Sequence, residues 1–600
     1  MFKDCCFILI SIIDNKYGKA DFMKELIKKA TVASLLSVML LAFGYPVNVL
    51  ASESDVGNLI DAYVDEHGET MAGMAVSVMD SEDIIYTGYY GFADMENNVA
   101  VDDETVMEWG SISKLQVWVC VMQLKEKNLI DLNADIRTYL PDGFLTKLRY
   151  ETPITMTNLM NHQAGFDEVP FIWAGATDQL MSIEEWLKTT EPEQQFEPGT
   201  VTSYSNWGTT LAAFIVSRVS GQPYEVYVKE NIYEPLGMDH TSIMPDASDN
   251  KWVCEKRKEL KTYSADLSGE ILSCGAYYCY CYPVGACMST MADMQKFAQA
   301  LLSDDSPLFE KKETRAEMLS PSNFYGDTDI GSNYHGFWQY PYYSGTVIGH
   351  DGGTVGCSST LRFDLDKGLC IAVMVNQHEE SQFINGLPGL IFESYEGNYP
   401  EFSGILQSAQ AVYNGPFKLH RLFAVQTVSF DPSKTIGLRV VLSADNGIDK
   451  VECGTSDNLV REPKDVLPDI ISILEYLISI LMAIVLFIAG VIQFIRYRKR
   501  VNSLWCVVSA GVQLIPVFVL YRAIMQLVFE HSPFLGIGSL RVLLFLVFAV
   551  LAANILLLAH GIRRFTRSGV SKTRMILTFI MLAFSTYGII YWELFEFWSI

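Results

Sequence analysis

Hydrophobic positions are distributed along the chain in two ways. At both ends they form long unbroken runs, and between the ends they recur at helical or strand spacing among polar residues. Four runs fill the C-terminal end, at about Leu467–Ile495, Leu504–Phe529, Leu540–Ile562 and Met575–Trp592. Each is near the roughly 20 residues that about 30 Å of hydrocarbon demands, so four transmembrane helices are predicted over residues 467–600. A shorter run, Ala30–Phe43, follows Lys24, Lys28 and Lys29 and precedes small residues, with Val49 and Ala51 at the spacing signal peptidase accepts. A basic start, a short apolar middle and a small-residue end predict a secretory signal over residues 1–51, cleaved after Ala51. Met23 opens that pattern well, which leaves residues 1–22 as an upstream extension.

The middle of the chain has mixed patterning. Helical runs alternate with short β-rich runs such as Met74–Met79 and Leu369–Val375. This predicts an α/β or α+β domain over residues 52–398. Composition shifts near Tyr395–Gly415, after which Leu422–Phe430 and Thr435–Leu442 read as strands. Residues 399–466 are therefore expected to form a β-rich linker or stalk.

Charge narrows the function. The 600 residues carry 44 basic and 70 acidic side chains, a net charge of -26. A nucleic-acid partner would need a basic face, so none is expected. Half the residues are hydrophobic and mean hydropathy is +0.18, which excludes intrinsic disorder. Lys and Arg cluster after the first C-terminal run (Arg496, Arg498, Lys499, Arg500) and between the third and fourth (Arg563, Arg564, Arg567, Lys572, Arg574). The loop around Glu530–Gly538 has neither. The positive-inside rule puts both basic loops in the cytoplasm and the segment before Leu467 outside, as the signal peptide independently requires. The expectation is a multi-pass protein of the cell membrane, with lipid as a partner and an extracellular catalytic domain. Glu475 and Arg522 fall at similar depth in the first two runs and are candidates for an intramembrane ion pair. Of the twelve cysteines, nine lie between Ala51 and the first C-terminal run. None forms a CxxC pair, and mostly buried free thiols are expected. No HExxH set is present, so neither a metal nor an organic cofactor is predicted.

Three constellations carry candidate chemistry. Gly110-Ser111-Ile112-Ser113-Lys114 precedes a helical pattern, Leu115–Lys127. Ser and Lys three apart share a helix face. A serine at the helix start sits in the positive end of the dipole, and a desolvated lysine can take its proton. Tyr204-Ser205-Asn206 supplies a phenol that can act as base and then acid, and an amide that can bond both a lysine and a substrate. Gly349-His350-Asp351-Gly352-Gly353 precedes a strand-like Ser358–Phe363, and its glycines would let a substrate backbone approach an edge strand.

In this order and spacing, SxxK, YxN and HxG resemble the serine β-lactamase-like hydrolases. These include class C β-lactamases, penicillin-binding D-Ala-D-Ala carboxypeptidases, esterases and D-aminopeptidases. Ile154–His162 ahead of Ala164-Gly165, Pro235-Leu236-Gly237-Met238, and Pro283-Val284-Gly285 with Ser289, Thr290 and Asp293 resemble the family's flanking segments. The likeness covers about Val56–Phe392. It implies an antiparallel sheet flanked by helices, with a helical subdomain. Ser111 would be the acylated nucleophile, and Lys114 and Tyr204 would share its proton transfers. Asn206 would hold Lys114 and the substrate amide, and the N–H groups of Ser111 and Gly353 would form the oxyanion hole. His350, Gly352 and Gly353 would line the substrate site, with His350 replacing the lysine of the family's KTG motif. An imidazole attracts a substrate carboxylate less than a lysine does. This favours peptide, D-amino-acid peptide or ester substrates over a dedicated β-lactamase role. His162 and Asp351 are expected to be structural. The signal–hydrolase–span layout also resembles D-aminopeptidases that mature acylated prodrug peptides. The alternatives are a β-lactam-binding sensor, which would hold its acyl-enzyme, and a non-catalytic binding module, for which an intact Ser111, Lys114 and Tyr204 set is not needed.

Overall fold

The computed structural model describes residues 53–169, 172–265, 270–325, 329–342 and 345–393, and beyond them the strands and helices named below. The predicted signal segment and Arg522 lie outside the described residues. The chain divides into two units, residues 1–59 and 60–600. Of the first, the described part is the start of helix α1 (Glu53–His67).

A nine-stranded antiparallel sheet dominates the second unit. Its strands are β1 (Gly73–Met79), β2 (Ile84–Asp94), β3 (Val99–Ala100), β4 (Asn323–Phe324), β5 (Gly331–Tyr334), β6 (Phe337–Tyr342), β7 (Gly345–Gly353), β8 (Ser358–Asp364) and β9 (Leu369–Val375). They lie in the order β4-β5-β6-β7-β8-β9-β1-β2-β3. The two runs read as strands from their apolar β-formers, β1 and β9, are neighbours, with Met74 opposite Val375 and Met79 opposite Cys370. Every residue of β1 is buried, as expected of a central strand covered on both faces.

Two helices bring the site together. Helix α2 (Ser113–Glu126) is buried almost all round, and α3 (Asn206–Ser220) packs on it. Ser205 caps α3 by accepting from Gly208 N–H at 3.0 Å. The SxxK turn therefore leads into one buried helix, and YxN leads into its neighbour.

The β-rich segment is a five-stranded sheet, of Phe402–Ser408, Val425–Phe430, Leu438–Leu442, Ile448–Cys453 and Leu459–Arg461. Among the described residues three helices are long and apolar enough to span, Ile470–Ile492, Phe545–Arg563 and Lys572–Tyr591. Of the second run, the described residues include the helix Leu504–Val512 and a short apolar helix over Val507–Pro516, and residues 519–536 lie outside the described residues.

The described C-terminal helices share a buried amide cluster. Gln513 Nε2 donates to Asn554 Oδ1 at 2.6 Å, Asn554 Nδ2 donates to Thr586 Oγ1 at 3.3 Å, and Ser585 donates to Gln513 Oε1. Asn554→Leu should lower resistance of the detergent-solubilised chain to SDS unfolding by roughly 1 kcal/mol. Unchanged resistance would mean the cluster does not hold these helices together.

Candidate active site

Ser111 lies in a 3-10 turn, Gly110–Ile112, that runs straight into α2. The turn is pinned on several sides. Ser113 Oγ donates to Gly110 O at 2.6 Å, and Ser359 Oγ of β8 donates to Trp109 O at 2.7 Å. Trp109 donates from its backbone N to Cys287 O at 2.8 Å and from Nε1 to Ser289 Oγ at 2.7 Å. Gly110 has φ +51°, a conformation that L side chains resist.

Strand β7 supplies the opposite wall. Its pairing with β6 ends at Gly349, while His350–Gly353 continue to pair with β8. The sequence suggested an edge strand. The structure shows an interior strand whose last four residues form a local edge, and the serine turn packs there. The glycines act differently from one another. A Cβ on Gly352 would lie 2.0 Å from Trp109 O, so this glycine admits the serine turn rather than a substrate. A Cβ on Gly110 would lie 2.6 Å from Gly353 N, which puts the Ser111 turn and the Gly353 amide side by side. Gly353 itself faces open space.

Lys114 is fully buried. Its Nζ donates to Ser111 Oγ at 2.8 Å and to Val284 O at 3.1 Å, and lies 4.8 Å from the centre of the Tyr204 ring. Burial lowers its pKa to about 8, against the opposing influence of Cys281 and Glu168. Cys281 and Cys279 are buried free thiols with sulfurs 3.5 Å apart.

Two imidazoles border Tyr204. His162, at φ +52°, accepts at Nδ1 from Ser205 N–H at 3.1 Å, and its ring is 4.4 Å from that of Tyr204. His350 lies 6.2 Å from the Tyr204 ring. Its Nδ1 donates to Asp351 O at 2.6 Å, which leaves Nε2 as a buried acceptor. Burial and the Lys114 charge push His350 down to about 4 and His162 well below its ordinary value. Both are neutral at pH 7. Asp351 is tied to Thr360 and, at 3.1 Å, to the buried Arg362.

The seven predicted site residues thus lie in one neighbourhood, with two revisions. Gly352 is a packing position, and Asn206 does not bond Lys114. Asn206 instead donates to Glu168, from Nδ2 at 3.2 Å and from its backbone N at 3.3 Å. The carboxylate takes the donors of Asn206, while Lys114 Nζ donates to Ser111 and Val284. Sequence reasoning missed Glu168. Burial raises its pKa to about 7, against the hydrogen bonds from Asn206. Among the described residues no group of three or more His, Cys, Asp or Glu side chains could hold a metal.

Comparison with known proteins gives a consistent match. A family model described as Beta-lactamase matches residues 59–394. The D-alanyl-D-alanine-carboxypeptidase/endopeptidase AmpH of Escherichia coli is 25% identical over 270 residues, 44% of this chain and 65% of that protein. Penicillin-binding protein 4* of Bacillus subtilis is 24% identical over 314 residues, 50% of this chain and 67% of that one. The chain thus spans about two thirds of the length of these curated relatives. Among solved structures, the D-amino acid amidase of Ochrobactrum anthropi has a TM-score of 0.47 at 23% identity, covering 56% of this chain and 97% of that one.

Proposed function

We propose, from the premise that this chain belongs to the Beta-lactamase family, that it is a membrane-anchored serine hydrolase acting through an acyl-enzyme on peptide, amide or ester substrates. The observation that carries the reading is the 2.8 Å contact between Ser111 Oγ and a fully buried lysine whose pKa has fallen to about 8.

In this reading the neutral amine of Lys114 takes the Ser111 hydroxyl proton as Oγ bonds to the substrate carbonyl carbon. The carbonyl oxygen becomes an oxyanion and accepts from the backbone N–H groups of Ser111 and Gly353, each worth a few kcal/mol in such sites. Tyr204, over the lysine, shares the proton relay to the leaving group. The bond to the leaving group then breaks and leaves an ester on Ser111. Water attacks that ester and regenerates the hydroxyl. Asn206 and His350 line the substrate side.

The hydrolase domain is assigned to residues 52–398, behind a signal peptide and ahead of the β-rich linker at 399–466. Three apolar helices support anchoring. Basic residues at the helix ends, Arg496, Arg563, Lys572 and Arg574, support a cytoplasmic side for those ends and an extracellular catalytic domain.

The test is active-site labelling of the full chain in detergent with a fluorophosphonate, followed by peptide mapping. One adduct on Ser111 is the expected result. A folded protein that gains no adduct would overturn the assignment of a nucleophile and return the site to a binding role.

A further inference from the structure

The Val284 carbonyl that accepts from Lys114 Nζ at 3.1 Å ends a 3-10 turn, Tyr282–Val284. Cys281 stands at the start of that turn, and its own carbonyl accepts from Val284 N–H at 3.0 Å. Two residues earlier, Cys279 ends a short strand, Tyr278–Cys279, paired with Trp173–Ala174. Tyr280, between the two cysteines, donates its N–H to Ile172 O at 2.8 Å. One cysteine is thus tied to a neighbouring segment, and the other to the turn that holds the lysine. Their sulfurs are 3.5 Å apart, and both side chains are buried. Cys281 is near enough to Lys114 to bear on its protonation.

This contact is one step from a covalent bond. A disulfide sets its sulfurs about 2.05 Å apart, so the pair must close by roughly 1.5 Å. Two residues of extended chain span at most about 7 Å, near the outer limit of disulfide reach. The bond therefore forms by bending the chain at Tyr280. Cys279 and Tyr280 are held by Trp173 and Ile172, so the movement falls on Cys281 and the turn that follows it. A bridge across a single residue gains little from loop closure and bends its own backbone, which marks the reversible, regulatory kind rather than the structural kind.

We propose that Cys279 and Cys281 are a redox-active dithiol, whose disulfide draws the Val284 carbonyl away from Lys114 and slows acylation of Ser111. The control of Ser111 rests on the serine-hydrolase reading, whereas formation of the disulfide does not. The oxidant is a low-molecular-weight organic disulfide. One cysteine thiolate attacks a sulfur of that reagent, whose S–S bond breaks and releases one thiolate. The second cysteine attacks the protein sulfur of the mixed disulfide, forms the Cys279–Cys281 bond and expels the other thiolate. The two protein thiols lose two electrons and two protons, and the reagent is reduced to two thiols. Burial pushes the Cys281 thiol up, which makes the exchange slow in the folded protein and calls for measurement at equilibrium.

The test equilibrates the full chain in detergent with reduced and oxidised glutathione over a wide range of ratios. One part of each sample is denatured in N-ethylmaleimide, digested, and mapped for the peptide that carries Cys279 and Cys281. The other part receives a fluorophosphonate, and the rate of Ser111 labelling is followed. With oxidation the peptide should pass from two alkylated thiols to an internal disulfide, and labelling should slow in step by about tenfold to 10^2-fold, as expected of a misplacement of about 1 Å. Excess dithiothreitol should restore both. The double variant Cys279→Ala with Cys281→Ala should label at the reduced wild-type rate in every buffer, and Cys279→Ser with Cys281→Ser gives the same readout where the alanine pair does not fold. A pair that stays alkylated, or carries only glutathione, in the most oxidising buffer would overturn the proposal. Slowing that persists in the double variants would do the same, since another cysteine would then be the switch. Reduced protein whose Ser111 never labels defeats the hydrolase reading, whereas labelling that ignores an established disulfide defeats only the control proposed here.

Discussion

Lys114→Met is expected to slow acylation of Ser111 by about 10^3-fold without unfolding the domain, within the range for losing a general base. Methionine keeps an unbranched chain of similar length in the fully buried slot but has no amine to take the serine proton. The stability change runs the other way from the activity change. Burial holds the Lys114 pKa at about 8, against an ordinary 10.5. Below pH 8 the folded state therefore carries a buried charge that the unfolded state keeps in water. Between pH 8 and 10.5 the unfolded chain binds more protons than the folded one, so stability rises with pH across that window. A shift of this size corresponds to a penalty of roughly 3 kcal/mol at neutral pH. Removing the amine relieves the penalty and forfeits two hydrogen bonds, to Ser111 and Val284, at about 1 kcal/mol each. The thermal midpoint at pH 7 should therefore match or exceed that of wild type. Stopped-flow acylation by an activated ester and a thermal melt give both numbers. In wild type the acylation rate should climb with pH and level off above about 8, as the amine loses its proton. A flat profile through pH 8, or near-normal acylation in Lys114→Met, would shift the base role to Tyr204.

How much of this was legible in the sequence depended on the range over which each signal acts. Ser111 and Lys114 are three residues apart, and Tyr204 and Asn206 two, so local spacing revealed both pairs. The buried strands β1 and β9 could be read from their short runs rich in apolar residues. Glu168 sends no such signal. It is one acidic residue in a loop, and its partner Asn206 is 38 positions away, brought there by the packing of α3 on α2. Gly352 was noticed for the wrong reason. The sequence showed that backbone must come close at this point, but the backbone that approaches is the chain's own.

That distinction makes Gly352→Val the most informative change outside the reacting side chains. A Cβ at this position would stand 2.0 Å from Trp109 O and 2.2 Å from Ser359 Oγ, distances no real Cβ contact reaches. The first obstacle is backbone and cannot swing aside. The second is the hydroxyl that pins that same carbonyl to β8. Relief requires the end of β7 and the turn before Ser111 to part by about 1 Å, which would draw the Gly353 N–H away from the Ser111 N–H. Displacements of that size cost on the order of 10^2-fold in positioned chemistry, and loss of one oxyanion donor costs about 10^2–10^3-fold. Acylation should therefore fall by about 10^2–10^3-fold, with roughly 1–3 kcal/mol of stability lost to overpacking. Gly353→Ala is the matched comparison, since a Cβ there meets nothing within 4 Å and the thermal midpoint should not move. If Gly352→Val acylates at the wild-type rate while showing the expected loss of stability, the Gly353 amide is not part of the oxyanion site. The close approach of β7 to the serine turn would then serve folding alone.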